Sequence, residues 1–118
     1  MAVITRHEPS SILHGVVRHG NTLYLAGVVA EDLSQDMAGQ AAQVFAEIDE
    51  LLNKHGSDKE HILAATIYVT DIAEKAAMNP VWTKWLPSHA LPARATIGIN
   101  DLGPGVKIEV VVTAAVKG

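Results

Sequence analysis

The apolar period changes twice along this chain, and that change limits the folds open to it. Met37, Ala41, Val44, Ile48, Leu51 and Leu52 recur at helical spacing. The segments before and after them alternate as strands do. Ser34 is placed to cap the helix, with Asp36 in its first turn. Lys54 and His55 fall in the last turn, and Gly56 suits the position just past the end. This spacing predicts about five turns of helix with one apolar stripe, which must lie on a sheet.

The strands follow from the flanking segments. Val3 to His7 reads as a short edge strand ended by Pro9, and Ile12 to Arg18 as a second strand. His19-Gly20-Asn21 is a turn, and Thr22 to Ala30 is a third strand. His61 to Val69 alternates again. Asp71 and Glu74 mark a short helical turn, and Asn79-Pro80 reads as the start of a second helix: Asn as cap, Pro in the first turn. Val81, Trp82, Trp85 and Leu86 form the apolar face of that helix, which Pro87 ends. Ala93 to Ile99 and Val106 to Val116 are the last strands, joined by Asn100-Asp101-Leu102-Gly103-Pro104-Gly105. The expected fold class is α+β: one mixed sheet with both helices on one face.

Length and composition bound the function. The 118 residues fit one domain spanning 1–118, and 48% hydrophobic residues suffice for a core. A lone domain of this size buries a modest share of its surface, so self-association would help. Net charge is −4, with no basic stripe, and aromatics are 4%, which speaks against a nucleic-acid partner. The absence of cysteine excludes disulfides and thiolate chemistry. No apolar run approaches the length of a signal peptide or a membrane span, so no membrane partner is expected and the expected location is cytoplasmic.

Two charges interrupt the final strands: Arg94 and Glu109. If these strands pair as a hairpin with Ile99 opposite Val106, then Thr96 lies opposite Glu109 and Arg94 opposite Val111. Arg94, Thr96 and Glu109 then share one face, and Ile97, Ile99, Ile108 and Val110 fill the other, beneath the helices. A guanidinium fork grips a carboxylate, and a neighbouring carboxylate orients water, so the group suits an anion site. A structural ion pair, or charges facing solvent, explains the same residues; composition and spacing alone favour that plainer reading. The sheet face away from the helices needs cover, for which a second subunit is the natural source, and a cleft between subunits would then hold both charges.

These residues also carry a family resemblance. Leu91-Pro-Ala-Arg-Ala-Thr-Ile-Gly-Ile99, then Leu102, Gly105 and Val106-Lys-Ile-Glu-Val110, resembles the C-terminal signature of the RidA/YjgF family. The Gly20-to-Gly27 strand, the helix from Gln40 to Leu52 and the strand Ala65-Thr-Ile-Tyr-Val-Thr-Asp71 are similar to the family as well. The resemblance runs in order along essentially the whole chain. It implies a chorismate-mutase-like homotrimer whose sheets face the trimer centre, with clefts between subunits. It implies hydrolysis of enamines and imines of the 2-aminoacrylate type to 2-keto acid and ammonia. The family's carboxylate-binding arginine falls on Arg94, its water-orienting glutamate on Glu109, and a water-holding carbonyl on Thr96. The helix asparagine falls on Asn79. The pocket tyrosine falls on Leu13 and the strand serine on Ala26, next to Gly27, so two hydroxyls are lost and the pocket becomes more apolar. That departure marks a divergent subgroup, suited to a larger or more hydrophobic imino acid, to weak turnover, or to binding alone.

No cofactor is expected, because an iminium carbon is already electrophilic. His7, His14, His19, His55, His61 and His89 lack metal-ligand spacing, so no metal is expected either. His55 reads as a helix C-terminal residue and His14 as a packed or solvated neighbour of the pocket. Trp82 and Trp85 read as core or interface, and Asn79 is explained by capping. Besides imine deamination, a non-catalytic trimeric protein that binds small carboxylates, or regulates through the same cleft, stays open.

Overall fold

A computed structural model describes residues 2–118. Strands β1 (Ile4–Pro9), β2 (His14–His19) and β3 (Thr22–Leu25) lead into helix α1 (Met37–Lys54). Strand β4 (Ile62–Val69), helix α2 (Lys75–Trp85), β5 (Ala93–Gly98) and β6 (Ile108–Ala115) complete a mixed six-stranded sheet in the order β1-β2-β3-β6-β4-β5. The two helices lie side by side against it. Phe45 of α1 stacks on Trp85 at 4.7 Å, while Trp82 meets Phe45 edge-on at 5.6 Å. The α+β architecture expected from the apolar periods is present.

Both helix starts differ from the sequence expectation. Helix α1 is capped by Asp36, whose carboxylate accepts from the Gly39 amide; Ser34 instead donates to Asp32. The cap lies just before the first buried residue of the stripe, Met37. Helix α2 begins before Asn79, so Pro80 lies inside it. Pro80 is exposed, but a proline inside a helix still sacrifices one hydrogen bond, at a cost of about 3 kcal/mol or more. Burial of Met78, Trp82 and Leu86 along one stripe outweighs it, and because Met78 precedes the proline the helix must start earlier. The 3-10 turn Ile72–Glu74, capped by Asp71, feeds directly into α2. Asn79 therefore caps nothing.

The final hairpin does not form. Strand β4 stands between β5 and β6, parallel to the first and antiparallel to the second. The Ile99–Lys107 connection crosses the end of β4, held there by Ile99 N–H to Val69 O (2.9 Å) and Thr70 N–H to Lys107 O (3.2 Å). Strand β3 also stops short, at Leu25. Pairing with β6 resumes only at the bridge Val28–Val110, after a bulge of one extra residue in the 25–27 segment.

Gln40 is fully buried on the helix stripe and pins the crossing connection. Its amide nitrogen donates to Gly105 O (3.0 Å) and Gln35 O (3.1 Å), and its oxygen accepts from Lys107 N (3.0 Å). Removing the amide leaves these part-buried backbone groups without their partners, at a cost on the order of 2 kcal/mol. Gln40→Leu is expected to lower the melting temperature by roughly 8 °C in calorimetry. A change within about 2 °C would mean that these groups find other partners.

Candidate functional site

The pleat of β4 assigns each candidate residue to a face. Arg94 aligns with Ala65 and Val112, both buried beneath the helices, and Thr96 aligns with Ile67 and Val110. Arg94 and Thr96 thus face the helix layer. Glu109 aligns with Tyr68 and Ile97 on the opposite, open face. The expected sharing of one face by Arg94, Thr96 and Glu109 is overturned, and with it the placement of Ile97 under the helices; Ile97 is 41% exposed. The cause is the strand inserted between β5 and β6, which replaces the assumed register by two others. Ile108 and Val110 do lie in the core.

The helix-side corner holds groups without polar partners. The Arg94 guanidinium lies 5.1 Å from the Trp82 ring centroid and forms no ion pair among the described residues. Partial burial pushes its pKa below the ordinary arginine value. Thr96 Oγ1 and Asn79 Oδ1 are buried without a hydrogen-bond partner among the described residues. Buried polar groups normally find partners, so such atoms call for an explanation.

On the open face, the half-buried Glu109 makes no ion pair or hydrogen bond among the described residues. The β3 bulge brings Gly27 directly against its carboxylate, where a Cβ on residue 27 would collide with Oε2. Leu13, Gly15, Ala26 and Gly27 line a groove of about 310 Å³ together with Glu8, Glu47 and Leu51. The structure therefore brings Leu13, Ala26 and Gly27 together against α1 and sets Gly27 beside Glu109, while Arg94 and Thr96 lie on the face of the sheet opposite Glu109. A larger groove of 510 Å³ between α1 and α2, walled by Phe45, Pro80, Val81 and Trp85, includes none of these residues. Among the described residues no cluster of His, Asp and Glu is arranged to hold a metal ion, and no helix is long and apolar enough to cross a membrane.

Glu8 escaped the sequence reading. Its backbone adopts φ 55°, which swings its carboxylate onto the end of α1. There one oxygen meets Lys54 Nζ at 2.8 Å and His55 Nε2 at 2.9 Å. Gly15 faces it across the ladder because a Cβ there would lie 3.0 Å from that of Glu8. The signal available in sequence was a glycine inside an alternating strand, which marks close backbone approach.

The family follows from comparison. The model described as endoribonuclease L-PSP matches residues 5–116. The chain belongs to this family, the RidA/YjgF group. Among curated RutC family relatives, YoaB of Escherichia coli is 40% identical over 113 residues, covering 96% of this chain and 98% of YoaB. One from Haemophilus ducreyi is 37% identical over 115 residues, covering 98% of each chain. The crystal structure of a YjgF family member from Neisseria meningitidis superposes with TM-score 0.92 at 32% identity, over 98% of this chain and 97% of that one. The bulge beside Glu109 and the cation over Trp82 thus belong to a RidA/YjgF fold.

The Glu8 carboxyl is held below its usual range, first by the hydrogen bond from Lys54 and then by that from His55. A lowered value contributes stability that is complete above the ordinary carboxylate pKa and is lost as pH falls through the folded value. Glu8→Gln is expected to melt below wild type at neutral pH, with the gap closing below about pH 4. A gap independent of pH would assign the effect to packing.

Proposed function

We propose that the protein hydrolyses reactive 2-imino acids to 2-keto acids and ammonia, in clefts closed between copies of the chain. The observation that carries this reading is the separation of Arg94 and Glu109. Each is a charge with no ion pair among the described residues, each is half-buried, and they sit on opposite faces of one sheet. Neither completes an anion site alone. An edge strand bearing Arg94, laid against the open face of a second copy, supplies the missing half. The open face favours such cover: Tyr24 (48% exposed) and Ile97 are apolar groups in water, with Val17 and Val111 half-buried beside them. In this reading, which the family resemblance supports, the assembly is a homotrimer with its sheets turned inward, each copy contributing residues 1–118 as one domain.

In this cleft Arg94 grips the substrate carboxylate with its fork and fixes the imine carbon near a water. Asn79, whose buried Oδ1 has no partner among the described residues, is read as a further contact for the same substrate. Glu109 from the neighbouring copy and the carbonyl oxygen of Thr96 hold the water. Strand β5 is an edge strand, so part of its backbone is available for this contact. As the water oxygen bonds to the carbon, Glu109 takes its proton and delivers it to nitrogen, giving a carbinolamine. The hydroxyl proton then moves through Glu109 to the amine, the carbon–nitrogen bond breaks, and ammonia leaves a 2-keto acid. Leu13, Ala26 and Gly27 form the side-chain wall. Having no hydroxyl, that wall favours apolar side chains, and it also supports a second reading in which the cleft binds small carboxylates without turnover.

The test is the rate of hydrolysis of imines generated by an amino-acid oxidase, read by competition with semicarbazide, over a panel of side chains. Wild type is expected to accelerate loss of several imines, most for apolar side chains. Arg94→Ala, which removes two charge-assisted hydrogen bonds, is expected to lower kcat/KM on the order of a hundredfold. Full activity in folded Arg94→Ala would overturn the mechanism. Binding of 2-ketobutyrate without acceleration of any imine would select the binding-only reading.

A further inference from the structure

We propose that Trp82 is a positioning residue for this site: its indole face carries the Arg94 guanidinium and sets the direction of the fork. The inference rests on the reading of Arg94 as the carboxylate-binding group. The guanidinium carbon lies 5.1 Å from the ring centroid, within the range of a cation–π contact. No acidic side chain competes for it among the described residues.

The ring is itself buried and closely packed. Trp82 is 5% exposed and meets the stacked pair Phe45–Trp85, 4.7 Å apart, edge-on, at 5.6 Å from Phe45 and 5.9 Å from Trp85. Met78 and Leu86 fill the same stripe of α2. The platform is therefore built from both helices. A free arginine side chain loses rotamer freedom on ordering, and a fixed platform removes part of that cost before a ligand arrives.

The choice of partner matters chemically. A carboxylate would hold the fork by its in-plane N–H donors and would compete with the substrate carboxylate for them. An aromatic face attracts the cation from one side and leaves those donors free. Asn79, one helical turn before Trp82, and Thr96, two residues after Arg94 on the same face, present buried oxygens without partners at this corner. The corner is thus supplied with a fixed cation and spare polar atoms, and closed by no internal acid.

Trp82→Phe keeps a ring face, whereas Trp82→Leu keeps apolar bulk without one. In the assembled protein, Trp82→Leu is expected to raise KM for the imine, and Kd for 2-ketobutyrate in calorimetry, about tenfold with little change in kcat. Trp82→Phe is expected to raise both less than about threefold. In the Arg94→Ala background, Trp82→Leu is expected to weaken binding no further. Equal losses in Phe and Leu variants, or a fall in kcat at constant KM, would overturn the proposal.

Should the Leu variant not fold, Trp85→Phe leaves Trp82 as the sole indole. Its fluorescence is expected to respond to 2-ketobutyrate, and the response to vanish on adding Arg94→Ala. Binding without a response would overturn the proposal. Binding of 2-ketobutyrate by Trp85→Phe with the Trp82 response, alongside wild type that accelerates no imine, would support the platform and sink the deaminase reading. Wild type that binds neither ligand would overturn both.

Discussion

Strand β4 stands between β5 and β6, and the site is organised by its pleat. Residues paired across a sheet share a face, so the ladder through Ala65 fixes Arg94 toward the helices and the ladder through Tyr68 fixes Glu109 away from them. A slip of one residue in either ladder would exchange core for surface along the whole strand. Burial of Ala65, Ile67 and Val69 on one side makes such a slip costly. The separation of the two charges is therefore as firmly specified as the core itself.

Each charge is then kept available by its surroundings. Arg94 is partly desolvated against an aromatic ring, an environment that supports a cation without satisfying its hydrogen bonds. Glu109 lies against a glycine at a bulge, where any side chain would displace its carboxylate. Bulges gather next to functional sites because they re-aim a residue without dissolving the sheet. Gln40 holds the connection leading into β6 from the core side, and the Glu8 clasp ties β1 to the end of α1 beside the groove. The scaffold's hydrogen bonds frame the two charges, which find no ion-pair partner among the described residues.

Much of the fold was legible in sequence because apolar periods are local. The stripe from Met37 to Leu52 and the alternation through Ile62–Val69 each identify an element without reference to the rest of the chain. Sheet order is not local. A connection of nine residues, Ile99 to Lys107, turns back on its own strand or crosses a neighbour equally well, and the hairpin was the wrong choice. Asn79-Pro80 reads as a helix start by cap chemistry, but Met78 needed burial and carried the helix past it. Arg94 and Glu109 were recognisable as charges out of place in apolar strands. That they occupy opposite faces, with Trp82 under one and Gly27 against the other, depends on tertiary pairing that spacing does not encode.

The central claim is that Arg94 of one copy works with Glu109 of another. Subunit complementation tests it most directly. Arg94→Ala and Glu109→Gln are purified separately, each expected to be inactive in imine hydrolysis, then unfolded together and reassembled in equal amounts. Sites shared between copies are expected to regain about one quarter of wild-type activity, since random mixing pairs an intact arginine with an intact glutamate at that frequency in a closed ring. Mixed assemblies that form yet stay inactive would contradict the account, because both groups would then have to come from the same chain.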